Sequence, residues 1–415
     1  MDPSVILFVG GLIIVLGFVT EYLFRKTGVS NIIFLLFFGL FLASTIGIAE
    51  RGILVTAAPL FSIVALIIIL IDGGLSINLY DALRGSFRAT LLAVVGFIFS
   101  MLTVAAIALF LFDWNLAYGL LLGSIVGPTG SVVVITLVNR LKMDSSISTV
   151  LKLETAMNDV IAIVVALALL NSLVLGGIGA PLILRDVIAK FSIGGMIGLM
   201  GGVFWYLALE KLRGQQFSYM LTLAVAFIVF SAVENVGGSG PVSVLFLGLA
   251  LGNEESISYI LKKEKRDIVF DSTMKGFHSE ISFFVQTFFF VYLGLIVSIS
   301  DYMNVVYGIM ISIALVVARL AAVGACTIRS TLKKNRGFIA LMLPKGLSTA
   351  VMAVFVISYA SKYPDRISAS IAQTISDITF VVIVVTIAIA TVGAYIYSRK
   401  NRELQAETAA VPVEK

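Results

Sequence analysis

Within a strongly apolar part of the chain stands the run Leu153-Glu154-Thr155-Ala156-Met157-Asn158-Asp159. On a helix, residues four apart share a face, so Thr155 lies with Asp159 and Glu154 with Asn158. A hydroxyl beside a carboxylate offers the oxygen ligands that hard alkali cations prefer. A carboxylate so placed holds either a cation or a proton, and that exclusion is the minimal machinery for exchanging one for the other. The bland reading is a structural acid capped by its neighbours. A second charge, Arg319 in Ala318-Arg319-Leu320, also sits in an apolar run and needs a counter-ion. Glu154 is expected to supply it, because a permanently charged guanidinium suits a structural pair better than proton release. Asp159 is then left as the titratable acid.

These residues are expected on membrane-crossing helices. The chain has 415 residues, 59% of them hydrophobic and 13% charged, with a mean hydropathy of +1.07. An ordinary soluble domain carries about twice that share of charge. A crossing helix takes about 20 apolar residues, and runs bounded by charge, Pro or Gly fall near 4–24, 29–46, 53–75, 88–112, 115–138, 150–172, 187–209, 217–236, 239–253, 276–298, 302–328, 335–359 and 369–398. The ninth, opening at Gly238-Ser239-Gly240-Pro241, is short. The first has no basic segment ahead of it and ends in Arg25 and Lys26 rather than a cleavage site, so it reads as a true span and not a signal peptide. One cysteine, Cys326, excludes an internal disulfide, and one histidine, His278, cannot build a metal site alone. The net charge of +5 comes from short basic clusters between apolar runs, which topology explains better than nucleic acid does.

Positive charge tests the count. The odd-numbered loops and the C-terminal tail hold 22 of the basic residues and the even loops 5, with Arg319 and Lys345 inside runs. A miscounted helix would destroy this asymmetry. The expectation is an N-terminus outside and a C-terminus inside.

Two runs are broken at matching places, the fifth at Gly127-Pro128-Thr129-Gly130-Ser131 and the twelfth at Pro344-Lys345-Gly346. With the seventh as a linker, the chain divides into two six-helix halves of opposite orientation, each broken in its fifth helix. Paired interruptions of this kind point to a transporter's binding site, since unwound backbone in a membrane is buried or lines a wet cavity, where its carbonyls can ligate a cation. Simple kinking is the plainer alternative. Thr129 and its neighbours Gly130 and Ser131 are expected beside Asp159.

Other polar residues are less telling. Lys345 either offsets helix C-terminal dipoles at the crossing or snorkels to the cytoplasmic face. Asp72 reads as a cap or loop acid of unsettled depth, and His278 and Glu280 as interfacial groups that could sense pH. Gly194, Gly198 and Gly202 suit a dimer seam, with internal packing as the alternative.

Taken together, Asn158-Asp159 preceded by Glu154 resembles the Asn-Asp signature of the NhaP/NHE branch of the cation/proton antiporter superfamily. Matching stretches follow in order: Pro128-Thr129, Gly238-Ser239-Gly240, Phe277-His278-Ser279-Glu280 through Gly294-Leu295, Ala318-Arg319, and Pro344-Lys345-Gly346 in place of the family's Pro-Arg-Gly. The resemblance implies an all-α polytopic fold of thirteen helices in two inverted six-helix repeats, discontinuous in helices 5 and 12. It implies a homodimer in the plasma membrane whose ion-translocation helices (about 88–172 and 276–359) move against scaffold helices (about 1–75, 187–253 and 369–398), with a cytoplasmic tail at 403–415. Asp159, Thr129, Thr155 and Asn158 would hold the ion, with Glu154, Arg319, Gly130, Ser131 and Lys345 in support. Exchange would be electroneutral, one sodium for one proton, with no cofactor. The chain departs from many relatives in having Thr129-Gly130 where they have Thr-Asp. That leaves less negative charge at the site and makes potassium the runner-up to sodium, with lithium a further candidate cargo. The short tail after Arg402 implies no nucleotide-binding regulatory domain.

Rival readings are a passive cation channel, which would need a continuous pore and a repeated filter, and a membrane sensor with a defunct transport core. The sequence offers no nucleotide loop, metal-ligand set or nucleophile–base arrangement to suggest an enzyme.

Overall fold

A computed structural model describes residues 3–45, 48–77, 87–141, 143–176, 180–212, 218–260, 272–297, 301–328 and 330–410. The basic residues Arg84, Lys142, Arg213, Lys262, Lys263, Lys265, Arg266, Arg329 and Lys415 lie outside the described residues, as does the side chain of His278. The described helices are α1 (Pro3–Thr27), α2 (Asn31–Thr45), α3 (Ile48–Ser76), α4 (Phe87–Leu111), α5 (Leu116–Val126), α6 (Ser131–Leu141), α7 (Ser145–Val174) and α8 (Ala180–Lys211). They continue with α9 (Ser218–Asn235), α10 (Gly240–Gly252), the short α11 (Glu254–Ile260), α12 (Ser272–Ile296), α13 (Tyr302–Cys326), α14 (Arg336–Leu341), α15 (Leu347–Lys362) and α16 (Ala369–Ala410). Every expected run contains helix. Among the described residues, eight segments are long and apolar enough to cross a membrane, and five shorter apolar helices fall in the remaining runs. The last helix continues past the expected end of its run to Ala410, taking in most of the polar tail.

Local chemistry sets the ends. Asn115 caps α5 by accepting from the Tyr118 backbone N–H at 3.0 Å, and Asp301 caps α13 through Met303 at 2.9 Å. Such caps satisfy donors that a helix start leaves free. Pro128 has no N–H to offer the helix, and α5 stops at Val126 with Gly127 as its cap, while α6 restarts at Ser131. Pro344 separates α14 from α15 in the same way.

The helices pack in two groups. In one, α10 lies on α8, α9 and α3, while α12 lies on α2, α1 and α3. In the other, α4, α5, α6 and α7 pack together with α13, α14, α15 and α16. The boundary runs chiefly through α3 against α15 and α7, and α12 against α15. This grouping differs from the expected division at two helices. The 276–298 run packs with the expected scaffold, and the 369–398 run with the expected translocation helices. The glycines of α8 are spent inside the first group. A Cβ on Gly198 would stand 2.2 Å from the Ser243 carbonyl of α10, and Gly194 and Gly202 press on α10 likewise. The row is therefore an internal seam, which excludes its use between copies.

Candidate functional site

The two broken helices cross at their breaks. The Gly130 N–H donates to the Pro344 carbonyl at 2.6 Å, and a Cβ on Gly130 would lie 2.6 Å from the Gly346 Cα. Only glycines permit that approach. Lys345 is buried beside the crossing and donates from Nζ to the Gly127 carbonyl at 3.0 Å, at the C-terminal end of α5. A positive group there complements the partial negative charge of that helix end. Of the two expectations for Lys345, the dipole contact is the one observed; the side chain does not snorkel. The Gly127 and Pro344 carbonyls, at the two breaks, are thus each engaged within the protein.

Asp159 meets the opposite helix ends. Its carboxylate accepts from the Ser131 N–H at 3.3 Å, at the start of α6, and from the Ser348 hydroxyl in the first turn of α15. Two helix N-termini, the positive ends of their dipoles, therefore converge on one carboxylate. Asp159 lines a cavity of about 370 Å³ between the two helix groups. Ser131, Ser348 and Lys152 line it from one group, and Asp72, Ser282 and Gln286 from the other. Asp72 accepts from the Ser282 hydroxyl. Its place beside Asp159 was not legible as a site from sequence, and neither was Ser348, an uncharged residue in an apolar run.

A second cluster lies against the first and is closed to solvent. Arg319 grips Glu154 with both ends of its fork, Nη1 to Oε1 at 2.7 Å and Nη2 to Oε2 at 2.9 Å. Thr129 donates to Glu154 Oε1 at 3.1 Å, and Asn158 donates to the same oxygen at 2.7 Å and to Thr129 at 3.3 Å. Asn158 Oδ1 is buried with no partner among the described residues. The expected Glu154–Arg319 pair is thus present. Thr129 and Asn158 turn toward that pair rather than toward Asp159. Thr155 is buried, and its hydroxyl donates back to the Lys152 carbonyl at 3.2 Å, not to its neighbour on the face. Among the expected ligands, Asp159 is the one that lines the cavity, joined by the expected supporting residue Ser131.

A polytopic helical membrane protein with crossed half-helices around a buried carboxylate is the class these features define. The sodium/hydrogen exchanger transmembrane family description matches residues 11–399, and the chain belongs to that family. It is 28% identical over 310 residues to the K(+)/H(+) antiporter NhaP2 of Shewanella sp. (strain MR-4), a match covering 72% of this chain and 51% of that one. The chain thus spans about half the length of such relatives. It is 25% identical over 412 residues to a probable Na(+)/H(+) antiporter 2 of Methanocaldococcus jannaschii, covering 93% and 95% of the two chains. The fold is that of the sodium proton antiporter MjNhaP1 of the same organism, solved at pH 8, with a TM-score of 0.78 at 22% identity over 94% of this chain and all of that one.

Proposed function

We propose that the protein is a secondary monovalent cation/proton antiporter in which Asp159 carries either the cation or the proton. The observation that carries this reading is the position of Asp159: on a cavity wall, between two half-helix N-termini, at the boundary of two helix groups. A group so placed changes its exposure when one helix group shifts against the other, which is what alternating access requires. In this reading α4–α7 and α13–α16 form the moving unit, and α1–α3, α8–α10 and α12 form the scaffold. Ser131, Ser348 and Asp72 supply oxygens near the ion. Glu154, Arg319, Asn158 and Thr129 hold the broken helix α5–α6 to α7 and α13.

The exchange is taken as electroneutral with sodium, and potassium is the second reading, supported by the potassium antiporter relatives and by Gly130 in place of a carboxylate. The basic-rich ends, including the mouth near Lys152, are assigned to the cytoplasm, and the membrane to the plasma membrane. A homodimer remains part of the reading. Met196, Met200 and Phe204 of α8 point outward, away from its glycine row, toward lipid or a second copy. The test is an alkali-driven pH change in proteoliposomes across lithium, sodium and potassium, comparing wild type with Asp159→Asn. Exchange is expected in the first and none in the second, with both eluting as folded protein. Retained exchange in Asp159→Asn would end the proposal.

A further inference from the structure

Two side-chain hydrogen bonds cross the boundary between the helix groups, one at each end of the molecule. At the Lys152 end, Arg140 in the last turn of α6 donates from Nη2 to the Lys26 carbonyl at 2.8 Å, in the last turn of α1. At the opposite end, Gln373 near the start of α16 donates from Nε2 to the carbonyl of Ile296, the last residue of α12, at 3.2 Å. Each donor meets the partial negative charge that a helix C-terminus leaves. The surroundings of the two contacts differ. Arg140 is exposed, and its basic neighbours on α1 have partners of their own, Arg25 on Glu21 and Lys26 over the Tyr22 ring. Gln373 belongs instead to a buried network. It also donates to Asp377 Oδ1 at 2.8 Å, and Asn304 of α13 donates to Asp377 Oδ2 at 3.3 Å, with Asn304 8% and Asp377 5% exposed. Only residues 297–301 separate α12 from α13 there, so the chain itself tethers the two groups beside this contact.

We propose that Gln373 on the Ile296 carbonyl is the pivot of the transport movement, and that Arg140 on the Lys26 carbonyl is a latch released at each turn about it. The ranking comes from what each contact costs to open. An exposed guanidinium that leaves a carbonyl is taken up by water, so the net loss is that of one ordinary hydrogen bond. Opening the other contact pulls on a network held away from water, where every unpaired group carries its full desolvation penalty. The latch therefore yields while the pivot holds. Turning about the pivot swings α6 away from α1, and α6 lines the Asp159 cavity with Ser131 and Ile135. The purpose of this movement rests on the antiport reading; the ranking of the two contacts does not.

The experiment measures distances between paired spin labels in a Cys326→Ser background, which removes the one native cysteine. Val29→Cys with Asn139→Cys brackets the latch, both positions being exposed. Phe41→Cys with Ser370→Cys brackets the pivot, also at exposed positions, where α2 meets α16 through Phe37 and Phe380. The latch pair is expected to give two distances whose weights differ between sodium and choline buffers, and the pivot pair a single distance in both. Arg140→Gln is expected to raise the weight of the longer latch distance roughly threefold, the population change that one lost hydrogen bond produces, and to leave the pivot distance unchanged. A latch pair with one distance in every buffer, or a pivot pair that changes as much as the latch pair, overturns the proposal. Should Arg140→Gln not fold, the labelled protein with Arg140 intact still decides, because its labels replace exposed side chains. Two latch distances and one pivot distance, without alkali-driven exchange in proteoliposomes, would remove the antiport reading and leave the pivot and latch standing.

Discussion

Glu154 and Arg319 form a two-pronged ion pair, 0% and 3% exposed, between α7 and α13. Glu154 Oε1 accepts from Thr129 and Asn158 as well as from Arg319 Nη1, while Oε2 accepts from Arg319 Nη2. The pair thereby links α7 and α13 to the break in the fifth span.

Removing one partner strands the other charge in a dry interior, which costs about 3–5 kcal/mol. Arg319→Met and Glu154→Gln are each expected to lower thermal stability strongly in detergent. The double variant is expected to recover part of the loss. Equal destabilisation of single and double variants, read by thermal unfolding, would show that the pair is not coupled.

At the crossing, Gly346 faces Gly130 with no room for a side chain, its own added Cβ falling 2.8 Å from the Gly130 Cα. Gly346→Val is expected to lose about 1–3 kcal/mol from overpacking and to abolish exchange by spreading the half-helices from Asp159. The check is a combined melting curve and transport assay. A variant with wild-type melting and exchange would show that the crossing tolerates separation.

Asp72 lines the same cavity as Asp159 without sharing its helix group. Asp72→Asn is expected to keep exchange but raise the half-saturating cation concentration roughly tenfold, a change of about 1.4 kcal/mol. Titrating sodium and potassium against the pH response measures it. An unchanged half-saturation would remove Asp72 from the ion's surroundings.

Gly28 follows α1 with φ of +83°, and a Cβ there would collide with Arg140, whose Nη2 donates to the Lys26 carbonyl at 2.8 Å. Gly28→Ala combines a left-handed backbone strain with loss of that contact, so a destabilisation of about 1 kcal/mol or more is expected. Thermal unfolding of Gly28→Ala beside Arg140→Ala separates the two contributions. A Gly28→Ala protein as stable as wild type would contradict the strain.

Much of this arrangement is legible in the sequence. Apolar length located the helical runs, Pro128 and Pro344 marked the breaks, and a lone arginine in an apolar run called for Glu154 as its counter-charge. Lateral packing was not legible. Helices that are apolar all round carry no stripe to say which neighbour they prefer, so the placement of α12 and α16 followed sequence order and differed from the packing. Ser348 carries no charge to attract notice. The expected run 53–75 already took in Asp72, but apolar length does not say which neighbouring helices its carboxylate faces. Thr155 illustrates a further limit: spacing puts it on the face of Asp159, but its hydroxyl had a carbonyl of its own helix within reach.

Asp72 and Asp159 stand on opposite sides of the boundary between the two helix groups. Under the proposed antiport, their separation would change as one helix group shifts against the other. A cation sheltered by both in the described arrangement would meet Asp159 alone once that helix group has moved away. Loading and unloading would then occur at unequal affinities on the two faces of the membrane, giving the exchanger a built-in directional bias in how readily each side fills it.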